Sequence, residues 1–224
     1  MILSILQAAE AESFSLIAMA AKGGWLMLVL LALSIVAIYI FAGKWWALRK
    51  ACGKDKNFTK DLRDYLVEGK VRSARALCKR NDGPLARVLD KGIVRKDDSV
   101  AEMREAMDNL GNLEVGRLEK GLPILAAIAG GAPMIGFLGT VIGMVEAFYN
   151  MARAGSNVDI SVLSGGIYTA MITTVGGLIV GILAYFGYNY LTSKISDLVF
   201  TMNCSASELA ETVTELRKKA EESR

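Results

Sequence analysis

The stretch Gly121–Met151 reads GLPILAAIAGGAPMIGFLGTVIGMVEAFYNM and carries a single acidic side chain, Glu146, and no basic one. A helix of these 31 residues is about 46 Å long at about 1.5 Å per residue. That length exceeds the bilayer's hydrocarbon thickness of about 30 Å. The stretch therefore predicts a membrane-spanning helix that tilts or projects beyond the bilayer core.

The rest of the chain also keeps charged and apolar residues apart. Of its 224 residues, 53% are hydrophobic and 22% are charged. Three charged residues occur from Gly121 to Ser193, whereas 19 basic and 13 acidic residues occur from Lys44 to Lys120. A soluble protein interleaves the two populations, so this distribution indicates a membrane protein. The net charge of +3 is too small to indicate nucleic-acid binding.

Two further segments have the length and composition of membrane spans. Trp25–Phe41 reads WLMLVLLALSIVAIYIF, and Ser161–Leu191 reads SVLSGGIYTAMITTVGGLIVGILAYFGYNYL. A buried helix of a soluble core is the alternative for the first segment, but tryptophans flank it as interfacial anchors do. We predict an all-α membrane protein with three transmembrane helices, whose long helices extend into a helical cytoplasmic domain.

The predicted division of the chain has seven parts. A secretory signal is the alternative for the first part, but its start lacks positive charge and its apolar run is short. The parts are an amphipathic interfacial helix (1–22), transmembrane helix 1 (23–43), a helical cytoplasmic domain (44–120), transmembrane helix 2 (121–152), a periplasmic loop (153–160), transmembrane helix 3 (161–193) and a cytoplasmic C-terminal helix (194–224).

Local signals divide the hydrophilic domain into helices. The run Asn81-Asp82-Gly83-Pro84 predicts a turn, and Ser99 with Glu102 forms a capping-box pattern at the start of another helix. No helix breaker follows Ser99 before Pro123. We therefore expect this last helix to run on into the membrane.

Lysines and arginines near the span ends indicate the orientation. Basic residues follow span one, precede span two and follow span three, whereas the opposite side offers only Lys22 and Arg153. The positive-inside rule therefore places the N-terminus outside and the C-terminus in the cytoplasm. Cys52, Cys78 and Cys204 then lie in a reducing compartment, where free thiols are expected.

Small residues recur at helical spacing on spans two and three. Such faces let membrane helices approach closely, because van der Waals packing drives their association in lipid. Pro133 is tolerated inside a membrane helix and can kink it. We predict helix-packing roles for Gly136, Gly139, Gly143, Gly177, Gly181 and Pro133.

Hydroxyl groups occur near the middle of both spans. Thr140 and Thr174 each lie within about 6 Å of the midplane if the spans are centred on their apolar stretches. Two hydroxyls at similar depth on neighbouring helices are typical of a polar path. The alternative is that each threonine bonds the carbonyl four residues earlier on its own helix.

Two motifs carry a resemblance to a known family. The segment Leu118–Met144, LEKGLPILAAIAGGAPMIGFLGTVIGM, resembles the ExbB/TolQ signature, and Gly166–Leu178, GIYTAMITTVGGL, resembles its companion. The three-span layout is also similar to that of ExbB and TolQ, whereas MotA-like members usually have four spans. The chain is identified as a member of the ExbB/TolQ/MotA family of proton-channel motor subunits, closest to ExbB/TolQ.

The resemblance implies a pentamer in the bacterial inner membrane around an ExbD/TolR-like single-span partner that carries a membrane Asp. The complex would energise a TonB- or TolA-like rod protein. The family's pore-lining threonines correspond to Thr140 and Thr174, and Thr169 and Thr173 complete the predicted polar lining. Many members have an acidic residue where this chain has Thr169, so that carboxylate's role does not transfer.

The membrane spans themselves offer no carboxylate near the midplane, because Glu146 lies one to two turns from the outer end of span two. The titrating acid is therefore expected from the partner. A non-conducting scaffold or motor-frame protein, as in gliding or secretion machines, is the alternative function. A sodium-driven variant also stays open. The chain has no histidine, metal-ligand spacing or nucleophile–base pair, which disfavours an enzyme and predicts no metal or cofactor.

Overall fold

The structure is a computed structural model that describes residues 24–52, 57–81, 83–154 and 160–222. The predicted interfacial helix (1–22) and most of the predicted periplasmic loop lie outside the described residues. In chain order the described helices are α1 Gly24–Cys52, α2 Phe58–Val67, α3 Val71–Asn81, α4 Pro84–Val94, α5 Val100–Glu119, α6 Leu122–Ala154 and α7 Ile160–Glu222.

The predicted fold class is confirmed. The described residues are almost entirely helical, and three helical stretches are long and apolar enough to cross a membrane, by length and composition. These stretches fall within Gly24–Arg49, Val100–Arg153 and Ser164–Lys219. The remaining helices, α2 to α4, are short and amphipathic, as expected for a hydrophilic helical region.

The chain forms two compact units. The first unit takes the residues up to Ile40 together with Ile124–Tyr188, and the second takes Phe41–Pro123 and the residues from Asn189 onward. The first unit therefore contains most of the apolar parts of α1, α6 and α7. The second unit contains α2 to α5 and the C-terminal half of α7.

In the first unit, α6 and α7 touch through their backbones. A Cβ atom on Gly136 would lie 2.8 Å from the carbonyl oxygen of Thr173 and 3.1 Å from the Cα of Gly177. A Cβ on Gly177 would lie 2.5 Å from the carbonyl oxygen of Ala132. Real Cβ atoms do not approach backbone atoms so closely, so both positions require glycine for this packing.

The other small residues extend the same contact along both helices. A Cβ on Gly181 would meet the ring of Pro133 at 2.5 Å, and a Cβ on Gly143 would meet the Cβ of Ala170 at 2.8 Å. Pro133 lies inside α6, which continues through it. The ring therefore serves as a packing surface on an unbroken helix.

Helix α1 supplies apolar side chains to the first unit. Leu30 is almost fully buried, a Cβ on Gly139 would lie 3.2 Å from Leu26, and one on Gly176 would lie 2.9 Å from Met27. By contrast, large side chains such as Leu28, Met134 and Leu183 are about 70% exposed. Exposed apolar surface of this kind is suited to lipid or to other membrane helices.

In the second unit, α2 to α5 and the C-terminal half of α7 enclose one hydrophobic core. The core residues recur at three- and four-residue intervals, so each helix buries one stripe. They are Phe58, Leu62, Leu66, Ala74, Cys78, Ala86, Val88, Leu89, Ile93, Met103, Met107, Leu198, Met202, Ala206, Leu209, Ala210 and Val213.

The predicted capping box is confirmed, and a break between two helices falls at the predicted turn, whose Asp82 lies outside the described residues. Helix α3 ends at Asn81 and α4 begins at Pro84. At the start of α5 the Glu102 N–H donates to Ser99 Oγ at 3.2 Å, and the Ser99 N–H donates to Glu102 Oε2 at 3.0 Å. Two N-terminal N–H groups that have no partner within the helix are thereby satisfied.

The helix predicted to run on from Ser99 into the membrane ends at Glu119. Pro123 explains this end, because a proline ring clashes with the carbonyl four residues before it, here that of Glu119. Gly121 makes the turn with φ of 96°, in the left-handed region. Helix α6 then restarts at Leu122 with Pro123 in its first turn.

A buried carboxylate joins α4 to the end of α5. Glu114 is 2% exposed. It accepts two hydrogen bonds from Arg87, at 3.0 and 2.6 Å, and a third from Arg117 at 2.9 Å. The two guanidinium groups therefore surround and neutralise a charge that would be costly to bury alone.

The contact between α6 and α7 predicts the effect of a single methyl group. Gly177→Ala places a Cβ against the α6 backbone and should lower the free energy of unfolding by about 1–3 kcal/mol. Gly130→Ala on α6 is the matched control, because no neighbouring helix among the described residues places an atom within 4 Å of the added Cβ. Thermal unfolding in detergent, followed by circular dichroism, compares them. Equal unfolding temperatures for the two variants would contradict this packing.

The burial of Cys78 predicts its reactivity. Burial, followed by the nearby Asp90 carboxylate, raises the pKa of the Cys78 thiol to about 12, so the reactive thiolate is scarce at pH 8. Cys204 is an exposed free thiol. In a Cys52→Ser background at pH 8, maleimide should label Cys204 at least tenfold faster than Cys78, as measured by mass spectrometry of peptides. Both should label equally after denaturation in dodecyl sulfate, and fast labelling of native Cys78 would disprove the buried placement.

Candidate functional site: a threonine cluster between two membrane helices

The structure brings Thr140 of α6 and Thr174 of α7 together. Their Oγ1 atoms are in hydrogen-bond contact, and either hydroxyl can be the donor. The close approach of the backbones at Gly136 and Gly177 makes this contact possible, because threonine side chains are short. Both threonines are half-buried, so the cluster lies at the edge of the helix pair.

Each of these hydroxyls also reaches a backbone carbonyl on the opposite helix. Thr140 Oγ1 lies 3.1 Å from the Ala170 carbonyl oxygen, and Thr174 Oγ1 lies 3.1 Å from that of Gly136. The distance from Thr140 to its own helix's carbonyl, at Gly136, is longer, at 3.4 Å. The alternative in which Thr140 bonds only its own helix therefore does not describe this site.

The other two threonines of the predicted lining occupy different environments. Thr173 is 3% exposed, and its hydroxyl donates to the Ala170 carbonyl at 2.7 Å on the side that packs against Gly139. Thr169 is half-buried, five residues before Thr174 on α7. It is not one of the hydrogen-bonding groups of the cluster.

Counting donors and acceptors shows what the cluster can bind. A hydroxyl has one hydrogen to donate and two lone pairs to accept. Thr173 donates to Ala170, Thr174 can donate to Gly136, and Thr140 can donate to either Ala170 or Thr174. All three hydrogens thus have partners inside the cluster, while the Thr140 and Thr174 oxygens keep lone pairs. The cluster is suited to accept a hydrogen bond from an incoming donor.

The membrane segments around the cluster provide no titrating group close by. The charged residues of α6 are Glu146 and Arg153, and α7 has none before Lys194. Glu146 is exposed and lies six residues beyond Thr140, or about 9 Å along the helix. Arg153 lies over the ring of Tyr149 at 5.7 Å, which is a common interfacial arrangement. The cluster is therefore polar but carries no charge of its own.

Sequence reasoning found the threonines but missed their backbone acceptors. The carbonyls of Gly136 and Ala170 lie four residues before Thr140 and Thr174, respectively, so the sequence marks them only as acceptors on the same helix. Their exchange between helices depends on the relative position of α6 and α7. The sequence also gave no sign that Arg87 contacts Glu114, since these residues lie 27 positions apart.

Comparison with known proteins gives the relationship of this chain. A family model described as the MotA/TolQ/ExbB proton channel family matches residues 80–203, more than half of the chain. The putative biopolymer transport protein ExbB-like 1 of Synechocystis is 29% identical over 190 residues, which cover 84% of this chain and 75% of that protein.

Two more relatives match over shorter regions. A putative biopolymer transport protein ExbB homolog of Methanothermobacter thermautotrophicus is 33% identical over 114 residues, 51% of this chain and 40% of that protein. The biopolymer transport protein ExbB of Neisseria gonorrhoeae is 34% identical over 93 residues, 42% of each chain. The matched region thus spans less than half the length of these two relatives. The family model includes Thr140, Thr173 and Thr174, and the chain is a membrane protein that belongs to the MotA/TolQ/ExbB proton channel family.

Proposed function

We propose that this chain is the pore-forming subunit of a motor driven by the proton-motive force in the bacterial inner membrane. Five copies surround an ExbD/TolR-like single-span partner, and the complex energises a TonB/TolA-type system. The observation that carries the proposal is the uncharged, acceptor-rich threonine cluster within two membrane-length helices of a proton channel family.

The proton carrier in this proposal is an Asp on the partner. One charge that crosses the membrane gains about 2.3 kcal/mol per 100 mV of membrane potential. To use this energy, the motor needs a group inside the membrane that binds the proton and releases it. The described parts of α6 and α7 hold no carboxylate beside the cluster. An Asp on a helix inside the ring of subunits supplies that group.

The spare lone pairs on Thr140 and Thr174 favour the protonated form of that Asp. A protonated carboxyl group has an O–H to donate, whereas a carboxylate only accepts hydrogen bonds. The cluster therefore holds the partner's Asp while it carries a proton and releases it after deprotonation. With five clusters in the ring, each protonation cycle moves the partner from one subunit to the next.

The remaining threonines have supporting roles in the proposal. Thr173 fixes the α6–α7 contact through its buried hydroxyl, and Thr169 provides a polar lining group next to the cluster. The N-terminus lies in the periplasm and the C-terminus in the cytoplasm, as the distribution of lysine and arginine indicates. Protons then enter from the periplasmic side and leave to the cytoplasm.

The second candidate function is a non-conducting scaffold. The glycine contacts that join α6 and α7 serve a scaffold as well as a channel subunit, so packing does not separate the two functions. The threonine cluster does separate them, because a scaffold has no need of a hydrogen-bond acceptor at depth. Loss of the hydroxyl groups should therefore reduce motor work and leave a scaffold unaffected.

Removing either hydroxyl tests the proposed site. Thr140→Val and Thr174→Val keep the side-chain shape but remove the acceptor, and should reduce proton-dependent uptake about five- to tenfold, since one lost hydrogen bond is worth about 1–1.5 kcal/mol. Uptake is measured in cells lacking the native gene, with assembly checked by co-purification. Thr140→Ser should keep activity. Thr201→Val is the matched control, because its hydroxyl bonds the carbonyl four residues earlier, outside the cluster.

Normal uptake in both valine variants would rule out this site. Reduced uptake in the Thr201→Val control would show that the loss is not specific to the cluster. Reduced uptake accompanied by loss of assembly would assign the threonines to packing.

Dependence on the partner provides a separate test. Liposomes that contain this chain alone should show no voltage-driven proton flux with a pH-sensitive dye, because the chain lacks the titrating Asp. Addition of the single-span partner should produce flux, and its Asp→Asn variant should abolish it. Native mass spectrometry of the same complex should show five copies of this chain. Strong flux without the partner, or none with it, would contradict the proposed division of roles.

A further inference from the structure

Three basic residues meet where α5 ends and α1 leaves its apolar stretch. Lys44 of α1 donates a hydrogen bond from Nζ to the Arg117 carbonyl oxygen at 3.1 Å. Lys120 caps the C-terminus of α5, with its backbone N–H on the Gly116 carbonyl. Burial, followed by the positive charge of Lys120, lowers the pKa of the Lys44 ammonium group. Two residues that are far apart in the sequence thus present positive charge at one place.

Among the residues that the structure describes, no carboxylate forms an ion pair with Lys44 or Lys120. Glu114 is the carboxylate that enters the group, and it is enclosed by Arg87 and Arg117 with 2% of its surface exposed. Glu114 is thus already paired with Arg87 and Arg117, and it does not offset the charges of Lys44 and Lys120.

The one other acid at this end of α5 faces away from the group. Glu119 is two residues beyond Arg117, which at about 100° per residue places it about 200° around the helix. Lys120 is three residues beyond Arg117 and so lies on the same side as Arg117. In the part of the chain that the structure describes, no ion pair links Glu119 to Lys44 or Lys120.

Capping of the helix accounts for only part of this arrangement. One cation near a helix C-terminus satisfies a free carbonyl and the helix dipole, and Lys44 does this for α5. A second unpaired ammonium group beside it adds repulsion without another carbonyl to satisfy. An anion between Lys44 and Lys120 removes that repulsion.

The position of the group indicates where the anion comes from. Lys44 follows the apolar stretch of α1, and Lys120 stands two residues before α6 begins. The end of the apolar stretch of α1 and the start of α6 both mark the boundary between membrane and water. Trp46, two residues after Lys44, is 76% exposed, and tryptophan prefers the headgroup level of a bilayer. The available anions at this level are phospholipid headgroups.

We propose that Lys44 and Lys120, with Arg117 beside them, bind the phosphodiester of an anionic phospholipid. Trp46 lies at the headgroup level next to it. Phosphatidylglycerol carries a net negative charge, whereas the phosphate of phosphatidylcholine is offset by its own ammonium group. Two lysines near an anionic surface should favour the anionic lipid on the order of tenfold or more. The site requires only that α1 and α6 enter a bilayer, so it is independent of the proposed motor function.

Native mass spectrometry of the purified full chain in detergent, with equimolar phosphatidylglycerol and phosphatidylcholine added, tests the site. The expected result is about tenfold more bound phosphatidylglycerol. Lys44→Gln/Lys120→Gln should lose this preference, and Lys44→Arg/Lys120→Arg should keep it. Lys194→Gln is the matched control, because Lys194 follows the third span but already pairs with Asp197 at 3.3 Å. It should also keep the preference.

Further measurements distinguish a lipid headgroup from free phosphate and test whether the double variant is folded. An excess of inorganic phosphate should not displace the lipid, and displacement would show a site for free phosphate instead. Equal binding of the two lipids, or an unchanged preference in the double glutamine variant, would overturn the proposal. If circular dichroism shows that this variant is unfolded, Lys44→Gln and Lys120→Gln are tested singly, and each must reduce the preference for the proposal to stand.

Discussion

At Gly136 the backbones of α6 and α7 meet so closely that a Cβ atom there would lie 2.8 Å from the Thr173 carbonyl oxygen. This approach lets two short hydroxyl side chains reach across to the facing helix. Thr140 and Thr174 then contact each other and the carbonyls of Ala170 and Gly136. The polar cluster therefore depends on the absence of side chains at the glycines. The same glycines allow both the close packing of α6 and α7 and the contacts of the threonine hydroxyls.

The same approach limits what the cluster can do. Close packing leaves no room for a charged side chain between the helices, and the three hydroxyl hydrogens find acceptors within the pair. What is left over is acceptor capacity on Thr140 and Thr174. An uncharged site of this kind does not hold a proton itself, which is why the proposed motor places the titrating acid on a second polypeptide. Lys44 and Lys120 are a separate feature, because they arise from the meeting of α1 with the end of α5.

Hydrophobic length and local signals made the secondary structure largely predictable. Three apolar stretches marked the membrane-length helices, and Ser99 with Glu102 marked the start of α5. The prediction was wrong at the end of α5, where the helix stops at Glu119 instead of running on into the membrane. A proline acts on the carbonyl four residues before it, so its effect begins one turn earlier than its position in the sequence.

The sequence also identified Thr140 and Thr174, because their depth follows from counting residues and both stand in the motifs that resemble the ExbB/TolQ signatures. It did not identify which carbonyls they contact. It also did not predict the ion pair between Arg87 and Glu114 or the hydrogen bond from Lys44 to the Arg117 carbonyl. Periodicity and composition describe one helix at a time, and therefore settle length, apolar faces and caps. Contacts between helices depend on the relative rotation and translation of the helices, which many weak packing interactions set together. These pairings were therefore decided by the tertiary structure alone.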